Sequence, residues 1–146
     1  MHADNPIEWN DSLQTGVAVI DDQHKVLVSL LNDANTKLAG EHGSRLLEQI
    51  TRDLLAYAIY HFETEEELIK RYAYDAEASA EAEEHLLQHR NFSKRIVTLR
   101  GDLLNGKRIS REVLLPFLHN WLVDHILHTD KLLAQFILAK DAARNS

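Results

Sequence analysis

Apolar residues recur at helical spacing in four separate segments of this chain, and no segment shows a sustained alternation with a period of two. Spacings of three and four residues place apolar side chains on one face of an α-helix, whereas a half-buried strand needs alternation. The sequence therefore predicts an all-α protein.

The predicted elements are an irregular N-terminal arm over residues 1–19 and helices over residues 20–39, 44–73, 77–104 and 110–140. Gly40 and Gly43 end the first helix, Ser44 suits the N-cap of the second, and Asn105-Gly106 ends the third. Four amphipathic helices with short connections bury their apolar faces most simply as an antiparallel up-down-up-down bundle. A chain of 146 residues can bury a core of its own, so we expect a single domain over residues 1–146.

The composition excludes several classes of function. The chain has no cysteine, so it has neither a disulfide framework nor a thiolate metal site. A formal net charge of -7 repels phosphate backbones, and we expect no nucleic-acid partner. The N-terminus lacks the basic flank and apolar run of a secretory signal, and no stretch approaches the roughly 18 apolar residues of a membrane span. We expect a cytoplasmic protein.

Polar residues interrupt the apolar faces of all four predicted helices. They are His24, His61, Glu65, His85, His89 and His125. A single histidine on an apolar face is usually a hydrogen-bonded core residue, but that explanation does not extend to five of them on four inward faces. Burying such groups without partners costs about 1–3 kcal/mol for each neutral group, and a bound cation removes that cost. The pattern predicts a metal site for which iron, zinc and manganese are all suitable.

Two familiar metal motifs fit this chain poorly. A zincin needs His-Glu-x-x-His, whereas residues 85–89 read His-Leu-Leu-Gln-His. A ferritin-like carboxylate site needs paired Glu-x-x-His, and no histidine of this chain follows a glutamate by three positions. The pairs His61/Glu65 and His85/His89 each project from one side of a helix, as chelation at one place requires.

Several longer motifs follow one another in a fixed order along the chain. They are Trp9, Ile20-Asp-Asp-Gln-His24-Lys25, His61-Phe-Glu-Thr-Glu65-Glu66, His85-x-x-x-His89 and Trp121-Leu-Val-Asp-His125-Ile126 with Asp130. In these motifs the chain resembles hemerythrin in its bacterial single-domain form, over nearly its whole length. It departs from the family between His61 and His85, where it is longer by a few residues and Tyr74-Asp75 replaces the usual Tyr-Pro.

The resemblance implies a non-haem centre of two iron ions that binds dioxygen reversibly at one of them. It implies that one iron, coordinatively saturated, is held by His85, His89 and His125. The other iron, with an open position, would be held by His24 and His61. Glu65 and Asp130 would bridge both irons, together with a solvent-derived oxo or hydroxo group.

Asp130 is the implied ligand that spacing alone would not select. Five positions after His125 is about 140° around a regular helix, so His128 or Thr129 is better placed for the same site. We therefore predict a local π-type turn near residues 126–130.

The resemblance and the helical phase together place apolar side chains around the open iron. This predicted oxygen pocket consists of Trp121, Leu122, Ile126, Leu27 and Phe62. An apolar wall excludes water and offers no side-chain acid that could drive bound oxygen towards peroxide chemistry. The pocket favours reversible binding over turnover.

We therefore expect an oxygen-binding protein for carriage, storage or delivery, acting as a monomer and not as an enzyme. One alternative is an oxygen or redox sensor module that acts through a signalling or oxygen-using protein partner. A chain that ends soon after Ala142 without an output domain favours the free-standing form. Another alternative is a diiron peroxidase or nitric oxide scavenger, which the saturated iron and the apolar pocket disfavour.

Overall fold

The computed structural model describes residues 7–38, 44–107 and 111–144. Its elements are a 3-10 turn at Asp11–Leu13, α1 Ala18–Lys37, α2 Ser44–Arg71, α3 Tyr74–Glu77, α4 Ser79–Leu104, α5 Arg111–Asp124, a π-helix at His125–Asp130 and α6 Lys131–Arg144. The described part of the chain contains no strand, and its long helices form a four-helix bundle, so the predicted fold class is confirmed. In the described ranges, no helix has both the length and the apolar character that crossing a membrane requires.

Two apolar clusters fill the bundle. The first includes Leu27, Leu31, Leu54, Ile96, Leu114 and Leu118. The second includes Ile20, Leu68, Ile69, Leu133, Ala134 and Ile137. Burying each leucine or isoleucine contributes about 1.5–3 kcal/mol. Along each long helix the predicted metal ligands lie where the positions of one cluster give way to those of the other, so the bundle holds a polar layer between two apolar ones.

Side chains of α1 fix the segment that precedes it. The Asn32 side chain accepts a hydrogen bond from the backbone N–H of Ile7 and donates one to the Ile7 carbonyl, both at 2.9 Å. The Asp21 carboxylate accepts from the backbone N–H groups of Thr15 at 2.8 Å and Gly16 at 3.1 Å. These contacts hold the turn into α1, which begins slightly earlier than the sequence predicted.

The connection between α2 and α4 differs from the predicted one, because α2 ends before residue 73, α4 begins after residue 77, and the single-turn helix α3 lies between them. Ala73 adopts a left-handed conformation with φ of 59°, which costs an L-residue about 1–2 kcal/mol. The next residue, Tyr74, is buried and packs on Phe136 with 5.0 Å between ring centroids. Burial of this tyrosine offsets the backbone cost and sets the path of the corner.

The last long helix changes its hydrogen-bonding pattern in the middle. The sequence predicted one helix over residues 110–140, whereas the structure has a π-helix of six residues between α5 and α6. The predicted π-type turn near residues 126–130 is thereby confirmed. A π-helix adds one residue to the turn, so side chains five positions apart come to lie on the same side.

Candidate metal centre

Seven predicted ligand side chains meet in the polar layer of the bundle. They are His24, His61, Glu65, His85, His89, His125 and Asp130. None of them is more than 3% exposed to solvent. They come from α1, α2, α4 and the π-helix, so each long helical unit of the bundle supplies at least one.

The seven side chains divide into two donor sets, in each of which one ligand atom per residue lies within 4.8 Å of the others. The five-donor set is Glu65, His85, His89, His125 and Asp130. The four-donor set is His24, His61, Glu65 and Asp130. Because the two carboxylates belong to both sets, the arrangement suits two metal ions side by side with shared carboxylate ligands.

Helix geometry explains how these side chains converge. His61 and Glu65 are one α-helical turn apart on α2, and the Nε2 and Oε1 atoms are separated by 3.0 Å. The π-helix brings side chains five positions apart together in the same way, since Nε2 of His125 lies 2.7 Å from Oδ1 of Asp130. The other carboxylate oxygen of Asp130 lies 2.5 Å from Nε2 of His24, so one aspartate reaches both donor sets.

Several polar atoms of the layer are buried without a hydrogen bond. They include Oε2 of Glu65 and Nε2 of His85. An unsatisfied buried polar group costs about 1–3 kcal/mol, and a cation at the centre would convert each of these lone pairs into a ligand. Imidazole and carboxylate donors without thiolate suit iron, zinc or manganese. The residues present therefore fit a pair of such metal ions.

The ionised side chains of the layer stabilise one another. Burial lowers the pKa of His61, but Glu65 and Asp130 outweigh burial and raise this pKa to about 10. Burial also lowers the pKa of His125, and the same two carboxylates raise it to about 9. Burial acts to raise the pKa values of Glu65 and Asp130, yet the surrounding imidazoles hold both well below their usual range. In the metal-free protein, imidazolium groups thus supply the positive charge at neutral pH.

Metal binding is expected to release at least two protons per chain at about pH 8, one from His61 and one from His125, because both are protonated there and must be neutral to coordinate. A pH-indicator dye in weak buffer measures this release during an anaerobic titration with a divalent metal. The His61→Gln variant should release about one proton fewer. Binding without proton release in the parent protein would contradict the charge state inferred for the layer.

Two glutamines that were not predicted as site residues hydrogen-bond to predicted ligands. Oε1 of Gln23 lies 2.7 Å from Nδ1 of His61, and Oε1 of Gln88 lies 3.0 Å from Nδ1 of His125. The sequence gives one slight signal for them, which is that each glutamine directly precedes a predicted ligand in the chain. Only the structure shows that each glutamine contacts a histidine of a different helix.

Apolar side chains cover one side of the polar layer. Phe62 stacks on His89 with 3.9 Å between ring centroids, and Trp121 stacks on His125 at 4.5 Å. Beside them lies a cavity of about 20 Å³ whose described lining residues are Leu27, Leu31, Leu54, Ala58, Phe62, Phe92, Leu118, Trp121 and Leu122. Four of the five residues predicted for the oxygen pocket line this cavity, and the side chain of Ile126 falls outside the part of the chain that the structure describes.

Comparison with known proteins places this arrangement in a family. The model of the hemerythrin HHE cation binding domain matches residues 15–137. The bacteriohemerythrin of Pseudomonas aeruginosa is 31% identical over 122 residues, which cover 84% of this chain and 75% of that protein. The bacteriohemerythrin of Stenotrophomonas maltophilia is 31% identical over 131 residues, which cover 90% of this chain and 81% of that protein.

The fold agrees with these sequence matches. A crystal structure of wild-type hemerythrin aligns with a TM-score of 0.78 and 24% sequence identity, over 90% of this chain and 97% of that chain. The resemblance that the motifs predicted is confirmed, and the chain belongs to the hemerythrin family.

Proposed function

We propose that this protein binds dioxygen reversibly at a non-haem diiron centre and serves in oxygen carriage, storage or delivery. In this proposal the five-donor set would hold one iron and the four-donor set the other, and Glu65 and Asp130 would be ligands of both. When bound, the two irons supply the electrons that hold dioxygen reversibly. The observation that carries the proposal is the inequality of the two donor sets.

The five-donor set would fill more coordination positions of a metal ion than the four-donor set, so an ion in the four-donor set would be the one to keep a position free for a further ligand. A metal with a free position can accept a ligand, and a saturated one cannot. The donor sets therefore favour ligand binding at the metal that His24 and His61 would hold.

The apolar cavity supports dioxygen as that ligand. Leu27 and Ala58 line the cavity and lie about one helical turn from His24 and His61, the histidines of the four-donor set. Dioxygen is small and uncharged, and an apolar cavity accepts it without the cost of removing a polar group from water. The described lining residues offer no acid or base for proton transfer, which favours binding over peroxidase or nitric oxide chemistry.

Visible absorption spectroscopy of the reduced, iron-loaded protein tests this proposal, with iron quantified per chain. A protein that holds two irons, is colourless without oxygen, becomes coloured in air and bleaches when oxygen is removed would support it. Immediate oxidation that removal of oxygen does not reverse would overturn reversible binding and favour a redox sensor or peroxide chemistry.

Leu122→Ser is expected to accelerate autoxidation of the oxygenated protein by roughly tenfold, because a hydroxyl in the cavity wall admits water and protons to the irons. Leu122→Met is the matched control, since it conserves volume and polarity and should oxidise at about the parent rate. The loss of the oxygenated absorption band with time gives both rates. Equal rates in all three proteins would show that this wall does not protect the irons.

A further inference from the structure

Each donor set contains one histidine whose outer nitrogen contacts a glutamine amide. We propose that Gln23 and Gln88 are positioning residues that fix His61 and His125 with Nε2 towards the metal, and that their neutral amides keep the irons from oxidising readily. The second part of this inference rests on the proposed diiron function. The first part concerns coordination of any metal by these histidines.

Gln88 contacts two groups of the π-helix through one oxygen. Its Oε1 accepts a hydrogen bond from Nδ1–H of His125 at 3.0 Å and another from the Thr129 hydroxyl at 2.7 Å. Because both partners donate, the amide is held with its oxygen towards the imidazole. When His125 gives up one proton to coordinate a metal, the remaining proton is thereby kept on Nδ1, and Nε2 is left with a lone pair for the metal.

Gln23 is held by a different arrangement with the same result. Its Oε1 lies 2.7 Å from Nδ1 of His61, and its Nε2 donates to the Thr64 hydroxyl oxygen at 3.0 Å. That hydroxyl in turn donates to the backbone carbonyl of Tyr60 at 3.1 Å. Since the Thr64 proton is engaged there, its oxygen accepts from the amide, and the Gln23 oxygen must face the imidazole.

The two arrangements repeat one motif in different parts of the chain. Gln23 directly precedes His24, and Gln88 directly precedes His89. In each case the dipeptide places its histidine in one donor set and its glutamine behind another histidine of the same set. One Gln-His dipeptide per donor set thus joins two helices around each proposed metal.

The uncharged nature of these amides has an electronic consequence. A carboxylate behind a coordinating imidazole draws its proton away and makes the imidazole a stronger donor, which stabilises the oxidised metal. A glutamine oxygen fixes the same orientation with a weaker effect. No charged group takes this role for His61 or His125 among the hydrogen bonds of the described residues. Reversible oxygen binding needs irons that return to the reduced state, so neutral partners suit it.

Four variants separate orientation from charge. Gln88→Leu and Gln23→Leu remove the acceptor with little change in size, and each should weaken iron or zinc binding about 10- to 100-fold. Gln88→Glu and Gln23→Glu restore an acceptor and add charge, so both should recover metal affinity. Their reduced iron forms should be oxidised more easily, by about tenfold in the equilibrium constant, or about 59 mV for a one-electron couple. Gln135→Leu, at an exposed position, is the control.

The zinc-loaded protein gives a readout that does not depend on oxygen. Zinc is diamagnetic, so nitrogen-15 NMR can follow exchange of the Nδ1 protons of His61 and His125. Slow exchange in the parent and fast exchange in the leucine variants would support the positioning role. Equal exchange and equal metal affinity in parent and leucine variants would overturn it.

The potentiometric titration tests the electronic part separately. Unchanged midpoint potentials in the glutamate variants would overturn the claim that the neutral amides set the redox balance. If the parent binds two metals and shows the protected protons, yet does not bind oxygen reversibly, the proposed function fails and the positioning role stands.

Discussion

Glu65→Ala is expected to leave the protein without bound metal at iron concentrations that saturate the parent chain. Glu65 belongs to both donor sets, so this substitution removes a ligand from each proposed iron at once. Its Oε1 lies 3.0 Å from Nε2 of His61 and 3.1 Å from Nε2 of His89, between the two sets. Iron per chain after anaerobic loading and desalting should fall from two to none, and added metal should no longer raise the melting temperature.

Two further variants make this result specific. Glu63→Ala changes an exposed glutamate on the same helix and should keep both irons. Glu65→Gln keeps the shape of the side chain and removes its charge, and it should lose metal as Glu65→Ala does. Two irons retained in Glu65→Ala, with normal spectra, would show that this carboxylate is not a bridging ligand.

The same substitution should destabilise the metal-free protein by about 3–5 kcal/mol near pH 7, because it leaves the buried His61 imidazolium without its main compensating charge. The depressed pKa of Glu65 means that its carboxylate adds stability above pH 4.5 and that this gain is lost as pH falls below that value. The raised pKa of His61 adds stability below pH 6.5, and that gain disappears as pH rises through about 10. Urea unfolding of parent and variant over this pH range measures both effects.

The helical fold could be predicted from the sequence because each helix buries a single continuous apolar stripe. The corner after α2 could not, since its path depends on burial of Tyr74 against Phe136, a residue of α6 distant in sequence. A left-handed alanine at position 73 has no local sequence signal either, because alanine favours the helix that this position interrupts.

The candidate site was predictable to different extents. His61 with Glu65, and His85 with His89, follow from the α-helical repeat alone. Asp130 came from the family motif and not from spacing, because the π-helix that turns it inward is a local backbone change that hydrophobic periodicity does not reveal. Contacts across helices, such as those of the two glutamines, depend on how neighbouring helices align along the bundle, which one sequence does not specify.

Moving the carboxylate from position 130 to position 129 is expected to fail to restore metal binding. Asp130→Ala should lose both irons, since Asp130 is the other residue that belongs to both donor sets. On a regular α-helix the position four residues after His125 would face the same site. In this structure that position is Thr129, which donates to Gln88 and not to the metal layer, so Thr129→Asp/Asp130→Ala should bind no more metal than Asp130→Ala.

Iron content and metal-dependent melting temperature compare the two variants with the parent, and Asp124→Ala, at an exposed position one residue before the π-helix, serves as the control that should bind normally. Recovery of two irons in the double variant would mean that the segment returns to a regular α-helix and that the π-helix is not needed to bring a carboxylate to the irons. Its failure would mean that the extra residue in this turn sets the position of a bridging ligand. Metal binding would then require the backbone geometry of the π-helix, because both the parent and the double variant contain a carboxylate in this segment.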